Sequence, residues 1–75
     1  FNPSTVIHFS LPRSSDVKIV AYDVMGRNVD TILNKNLNPG FYDINWKPST
    51  LSTGIYFLNI KTDQSDQTHK VMYIK

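Results

Sequence analysis

Short segments of alternating apolar and polar residues recur about every dozen residues, and this spacing is the strongest constraint on how the chain can fold. Alternation with a period of two is typical of a β-strand that buries one face. The gaps between the segments are too short for a crossover helix, so neighbouring strands are predicted to be antiparallel. The predicted strands cover residues 7–11, 17–22, 29–33, 42–46, 56–60 and 68–74.

Composition favours the same fold class. The 75 residues include no glutamate, one alanine and 20 Asn, Ser and Thr residues, so good helix formers are scarce. The sequence therefore predicts an all-β fold, a small immunoglobulin-like antiparallel β-sandwich of six or seven short strands. A small barrel is the competing architecture. A chain of this length forms a single domain, residues 1–75.

Glycine and proline mark two predicted turns. Asp23 and Gly26 occupy the first and fourth positions of a predicted type I turn, with Gly26 at positive φ. A phosphate-binding loop would need several glycines and a following helix, so the turn is preferred to a ligand site. Pro39 and Gly40 suit the two central positions of a type II turn.

Charge and composition exclude several kinds of partner. Eight Lys and Arg residues are spread singly among six Asp residues, so no nucleic-acid partner is predicted. No apolar segment is long enough for a membrane span. There is no cysteine for a disulfide or a thiolate metal site. Because the first residue is Phe1 and not methionine, we interpret the chain as part of a longer protein.

Residues suited to catalysis or to metal binding are few. No acid, base and nucleophile form a recognisable set, so the sequence predicts no catalytic residue, no cofactor and no enzyme. His8 and His69 would be neighbours if the first and last strands met, but two histidines without a third ligand favour solvated surface over a metal site. Asp63 and Asp66 lack the pattern of a calcium loop and favour a turn.

The aromatic residues allow two interpretations. They could form a platform for stacking sugars, or they could fill the core. For Trp46 and Tyr56 the core is favoured, because each large ring buries about 150–250 Å². Phe41 and Tyr42 point to opposite faces of one strand, so one of them is expected to face solvent and to be available to a partner or a cargo domain.

Six motifs occur together in the order and spacing of a known family. The chain resembles the type A C-terminal sorting domain of the type IX secretion system, also called the Por secretion tail, over essentially its whole length. That family is similar in fold to immunoglobulin-like domains. Met25 stands where leucine is usual and Phe41 where tyrosine is frequent. The motifs are NPST at 2–5, IHFSLP at 7–12, YDVMGRNV at 22–29, NPGFYDINW at 38–46, LSTGIYFLNI at 51–60 and HKVMYIK at 69–75.

The resemblance implies a non-catalytic signal at the C-terminus of a larger secreted protein. Its expected partners are an outer-membrane translocon component and an N-terminal cargo domain, and its expected location is extracellular or on the outer cell surface after transit through the periplasm. The resemblance makes Gly54, Tyr56, Lys70 and Lys75 the candidate recognition residues. The last strand could also accept a receptor strand at its edge. The alternative function is that of an accessory immunoglobulin-like module that binds polysaccharide or a cargo domain.

Overall fold

The computed structural model describes residues 1–75 and contains six β-strands and no helix. All six predicted strands are confirmed, and β3 continues four residues beyond its predicted end. The strands are β1 (Thr5–Leu11), β2 (Ser15–Tyr22), β3 (Asn28–Leu37), β4 (Gly40–Trp46), β5 (Gly54–Lys61) and β6 (Asp66–Tyr73).

The strands form two antiparallel sheets that pack as a small sandwich. One sheet has two strands, β1 and β4, and the other has four strands in the order β3-β2-β5-β6. The sandwich prediction is confirmed. The structure has six strands, the lower of the two predicted numbers. Because the four-stranded sheet is wider, the two-stranded sheet leaves part of its inner face uncovered near β6.

The core lies between the sheets and is centred on β2. Val17, Ile19 and Ala21 point inward from β2 and are almost completely buried. Ile7, Leu11, Trp46 and Leu58 complete this buried cluster. Tyr56 is also buried, so the core positions predicted for Trp46 and Tyr56 are confirmed. Apolar area removed from water in this way contributes about 25 cal/mol per Å².

Two tyrosines fasten segments that cross from one sheet to the other. The Tyr42 hydroxyl donates to the Asn38 carbonyl at 2.5 Å, where the chain passes from β3 to β4. The Tyr56 hydroxyl donates to the Ser52 carbonyl at 2.6 Å, where the chain returns from β4 to β5. Tyr56 has the geometry of the tyrosine corner of immunoglobulin-like domains.

The crossing at Pro39 and Gly40 differs from the predicted type II turn. Gly40 has a φ of +150° and begins β4, and the Asn38 carbonyl is bonded by the Tyr42 hydroxyl instead of a turn amide. The physical reason is that residues 38–39 carry the chain between sheets and do not close a hairpin.

Two bulges in β3 flank Asp30, whose carboxylate contacts a core residue. The pairing of β3 with β2 shifts register on either side of Val20 and Ala21, leaving Ile32 and Val29 without a partner. Asp30 lies between these bulges, and its carboxylate accepts a 2.8 Å hydrogen bond from the Trp46 indole. A buried indole N–H needs such an acceptor, so the bulges help to hold Trp46 in place.

Candidate recognition surface

The four predicted recognition residues all lie on or beside the hairpin of β5 and β6. Gly54 begins β5 and pairs with Tyr73, the last residue of β6. Tyr56 pairs with Val71 and is buried, and its hydroxyl bonds to the Ser52 carbonyl. Lys70 is exposed and pairs with Phe57.

The C-terminal residues are held by contacts with two other segments. The Lys75 amide donates to the Thr53 hydroxyl at 2.9 Å. The Ile74 amide donates to the Phe1 carbonyl at 2.9 Å, and the Phe1 amino group donates to the Met72 carbonyl. The side chain of Phe1 packs against the rings of Trp46 and Tyr73. The chain therefore continues past β6 in a fixed conformation up to an exposed Lys75.

An apolar surface with one cation lies on the outward side of the four-stranded sheet. Tyr56 and Leu58 point inward, so Ile55 and Phe57 point outward by alternation. Directly opposite residues share a face of the sheet. We call this surface the outer patch, and it consists of Tyr22, Ile55, Phe57, Lys70 and Met72.

The outer patch is the part of the surface that the sequence analysis missed, apart from Lys70. Met72 is 53% exposed, whereas Ile55, Phe57 and Tyr22 are half-buried. The signal for it is the continuous run from Ile55 to Leu58, in which the strand is apolar on both faces. An edge-proximal strand with this pattern indicates a second contact surface besides the core.

The two histidines line one groove at the open flank between β1 and β6. The groove is bordered by Thr5–His8 on one side and by His69 and Val71 on the other. Nδ1 of His8 lies 2.6 Å from a carboxylate oxygen of Asp43, and both side chains are exposed. No group of three or more histidine, cysteine or acidic side chains is arranged to hold one metal ion.

The Asp23–Arg27 loop is a turn closed by a single carboxylate. Gly26 has a φ of +80°, and its amide donates to the Asp23 carbonyl at 3.0 Å. The Asp23 carboxylate accepts hydrogen bonds from the amides of Met25 and Arg27 and from the Arg27 side chain. These bonds, led by that from the Arg27 amide, lower the pKa of Asp23 below its ordinary value.

Comparison with known protein families gives a match over nearly the whole chain. The model of the secretion system C-terminal sorting domain matches residues 2–75. The chain belongs to this family. The expectation drawn from the six motifs is therefore confirmed at the level of the family. Searches of curated proteins and of solved structures gave no match.

Membership places the sorting domain among the C-terminal signals for type IX secretion. Such a tail implies a cargo and export across the outer membrane to the cell surface or the extracellular space. Sorting domains of this family are in general not catalytic. The sorting domain contains no helix long and apolar enough to cross a membrane.

Proposed function

We propose that residues 1–75 are a non-catalytic sorting signal that an outer-membrane component of the type IX translocon binds while an N-terminal cargo domain is exported. The observation that carries this proposal is the family match over residues 2–75, on a chain that folds as a two-layer sandwich. Recognition thus reads a folded surface and not an extended peptide. The cargo is delivered from the periplasm to the cell surface or beyond it.

The outer patch and the exposed C-terminus are the surface that the translocon component binds. Lys70 stands beside Phe57 and Met72, which combines a cation with apolar area in the way that protein interfaces do. Lys75 adds a second cation close to the same end of the hairpin. Binding through side chains is favoured over strand addition along the whole of β6, because Phe1 already pairs with the end of that edge.

Gly54 and Tyr56 serve recognition by positioning this end of the hairpin. Gly54 lies opposite Tyr73, and Tyr56 fixes the incoming segment through the Ser52 carbonyl. Their substitution is therefore expected to act through the conformation of β5. Lys70 and Lys75 are the residues expected to contact the partner.

Export of a reporter tests the proposal. A periplasmic reporter fused in front of residues 1–75 is expressed in a host that has the type IX system, and reporter is measured in the medium and on the cell surface. The intact tail is expected to direct export. Lys70→Glu combined with Lys75→Glu is expected to abolish most of it, because both cations of the proposed contact are reversed.

Lys35→Glu is the control for charge reversal, since Lys35 is also exposed but lies on β3 at the far edge of the same sheet. This control is expected to export normally. A reporter with the intact tail that stays in the periplasm contradicts the sorting function itself. Equal export of the double variant and the control contradicts only the assignment of the surface.

One observation favours the alternative function as an accessory binding module. Phe41 is 93% exposed on the outward face of the two-stranded sheet, where a large ring has no intramolecular use. A contact with the cargo domain or with polysaccharide fits this position. Retention of the isolated chain on insoluble glycans, lost in Phe41→Ala, supports glycan binding. Passage of the intact chain without retention excludes it.

A further inference from the structure

The first residue of the chain is bonded to the last strand in the pattern of two parallel strands. The Phe1 amino group donates to the Met72 carbonyl, and the Phe1 carbonyl accepts from the Ile74 amide. In a parallel ladder, a residue on one strand bonds to the residues just before and just after the one that lies opposite it on the other strand. Phe1 therefore lies beside Tyr73 and runs in the same direction as β6.

The edge of β6 that Phe1 touches has unpaired backbone groups farther along. The turn between β5 and β6 is closed by a bond from the Thr62 amide to the Ser65 carbonyl. Alternation from this pair turns the N–H and C=O groups of every second residue of β6 toward β5, His69 and Val71 among them. The groups of Thr68, Lys70 and Met72 consequently point to the open edge.

The groove between β1 and β6 lies along the part of β6 that precedes Tyr73. It consists of two adjoining cavities of about 200 and 230 Å³ that share His8, Ile60 and His69. The side chains of the four-stranded sheet that give it an apolar lining are Leu58, which is buried, and Ile60 and Val71, which are half-buried. Its far end lies beside Gln67.

We propose that this groove is the seat of the segment that leads into Phe1, which lies there as a seventh strand parallel to β6. The inference rests on the proposed function, because a cargo domain then precedes Phe1. The stretch of β6 from Val71 to Gln67 accommodates about four or five residues at roughly 3.3 Å per residue. The leading segment covers apolar side chains and bonds to the open edge of β6. It therefore removes both apolar area and unpaired backbone groups from exposure to water.

The bonds of Phe1 fix which groups the leading segment pairs with. The second residue before Phe1 donates to the Lys70 carbonyl and accepts from the Met72 amide. The fourth residue before Phe1 accepts from the Lys70 amide. Met72 and Lys70 amides are thus the ones that become protected, whereas those of Val71 and His69 already bond to β5.

Amide hydrogen exchange, followed by NMR, tests this pairing on the chain itself. Two versions are made, one with six alternating threonine and valine residues joined to Phe1 and one with six alternating glycine and serine residues. The first extension is expected to slow exchange of the Met72 and Lys70 amides about tenfold or more relative to the second. Val71 and His69 serve as internal controls, and their exchange is expected to match in the two chains.

Proline placements within the threonine-valine extension provide a sharper control. A proline at the second position before Phe1 removes the N–H that donates to Lys70, and it is expected to cancel the protection. A proline directly before Phe1 removes an N–H that points away from β6, and the protection is expected to persist.

Equal exchange of the Met72 and Lys70 amides in the two extended chains overturns the inference, and so does equal slowing at all four amides, which would indicate general stabilisation. The exchange measurement does not involve export, so a negative result there does not contradict the sorting function. A failure of reporter export, in turn, leaves the exchange result unaffected.

Discussion

Single residues fix the shape of this domain where the chain changes direction. Asp23 does so through its carboxylate, which accepts three hydrogen bonds and closes the β2–β3 hairpin. Tyr56 and Tyr42 do so through hydroxyls that hold two crossings between the sheets. In each case one side chain forms hydrogen bonds with backbone groups that have no partner in a sheet.

The Asp23 carboxylate makes the stability of the hairpin dependent on pH. Its pKa is lower in the folded chain, so its contribution is fully present above the unfolded value of about 3.8 and is lost as pH falls through the lower folded value. The Asp23→Asn variant has no carboxylate to protonate at this position, so this contribution to its stability does not change with pH. Urea unfolding of both proteins is expected to show their difference in stability shrinking below about pH 4. A difference that stays constant from neutral to strongly acidic pH contradicts this role of the carboxylate.

The two tyrosine hydroxyls are expected to differ in energetic importance. Tyr56→Phe leaves the Ser52 carbonyl without its partner in a part-buried site, which should cost about 1–3 kcal/mol in the free energy of unfolding. Tyr42→Phe removes a bond that is exposed to water, so water can replace it. Denaturant midpoints of the two variants check this order. An equal loss in both would show that burial of the bond is unimportant.

At the scale of elements, the sequence predicted where the strands lie but not which strands pair with each other. Alternation in β1 and β2 locates each strand and its buried face, since both follow from local periodicity. Sheet membership is not local: β4 follows β3 in sequence yet pairs with β1. The bulges at Ile32 and Val29 flank Asp30, whose partner Trp46 lies in the other sheet, and the pattern of β3 alone did not predict them.

The candidate recognition residues could also not be placed from the sequence alone. The family resemblance pointed to Lys70 and Tyr56, and the structure places one on the surface and the other in the core. The outer patch arises because Tyr22 pairs with Phe57 from a different hairpin. A pairing between distant segments is decided by the packing of the whole sandwich, so it could not be obtained from strand periodicity.

The central strand β2 should be the element least tolerant of substitution. Ile19 is fully buried at its centre, so Ile19→Ala is expected to cost about 2–5 kcal/mol. A domain of this length has roughly 4–11 kcal/mol in total, at about 0.05–0.15 kcal/mol per residue. Thermal unfolding followed by circular dichroism should therefore show a large fall in midpoint. Lys18→Ala, the exposed neighbour, should change stability by less than about 0.5 kcal/mol; a comparable loss there would contradict the inward placement of Ile19.

At the scale of the whole molecule, the two proposed contacts use different sides of β6. In the two proposals, a leading segment from the cargo occupies the edge of β6, next to the groove, whereas the translocon component contacts the outer patch on the face of the sheet. The two contacts are therefore compatible in one complex. Under these proposals the cargo connection and the outer patch share β6, so the translocon component can bind the domain while it stays joined to its cargo.

This arrangement depends on the contact between the two ends of the chain, in which Phe1 packs on Trp46 and Tyr73. Phe1→Ala is expected to lower the free energy of unfolding by about 1–3 kcal/mol and to shift Trp46 fluorescence to longer wavelength, since water reaches the indole. Phe41→Ala removes an identical but 93% exposed side chain, so it should change neither quantity. Unchanged fluorescence in Phe1→Ala would mean that the ring does not shield Trp46 in solution, and the start of the chain would then have no fixed position beside β6 from which to direct a seventh strand.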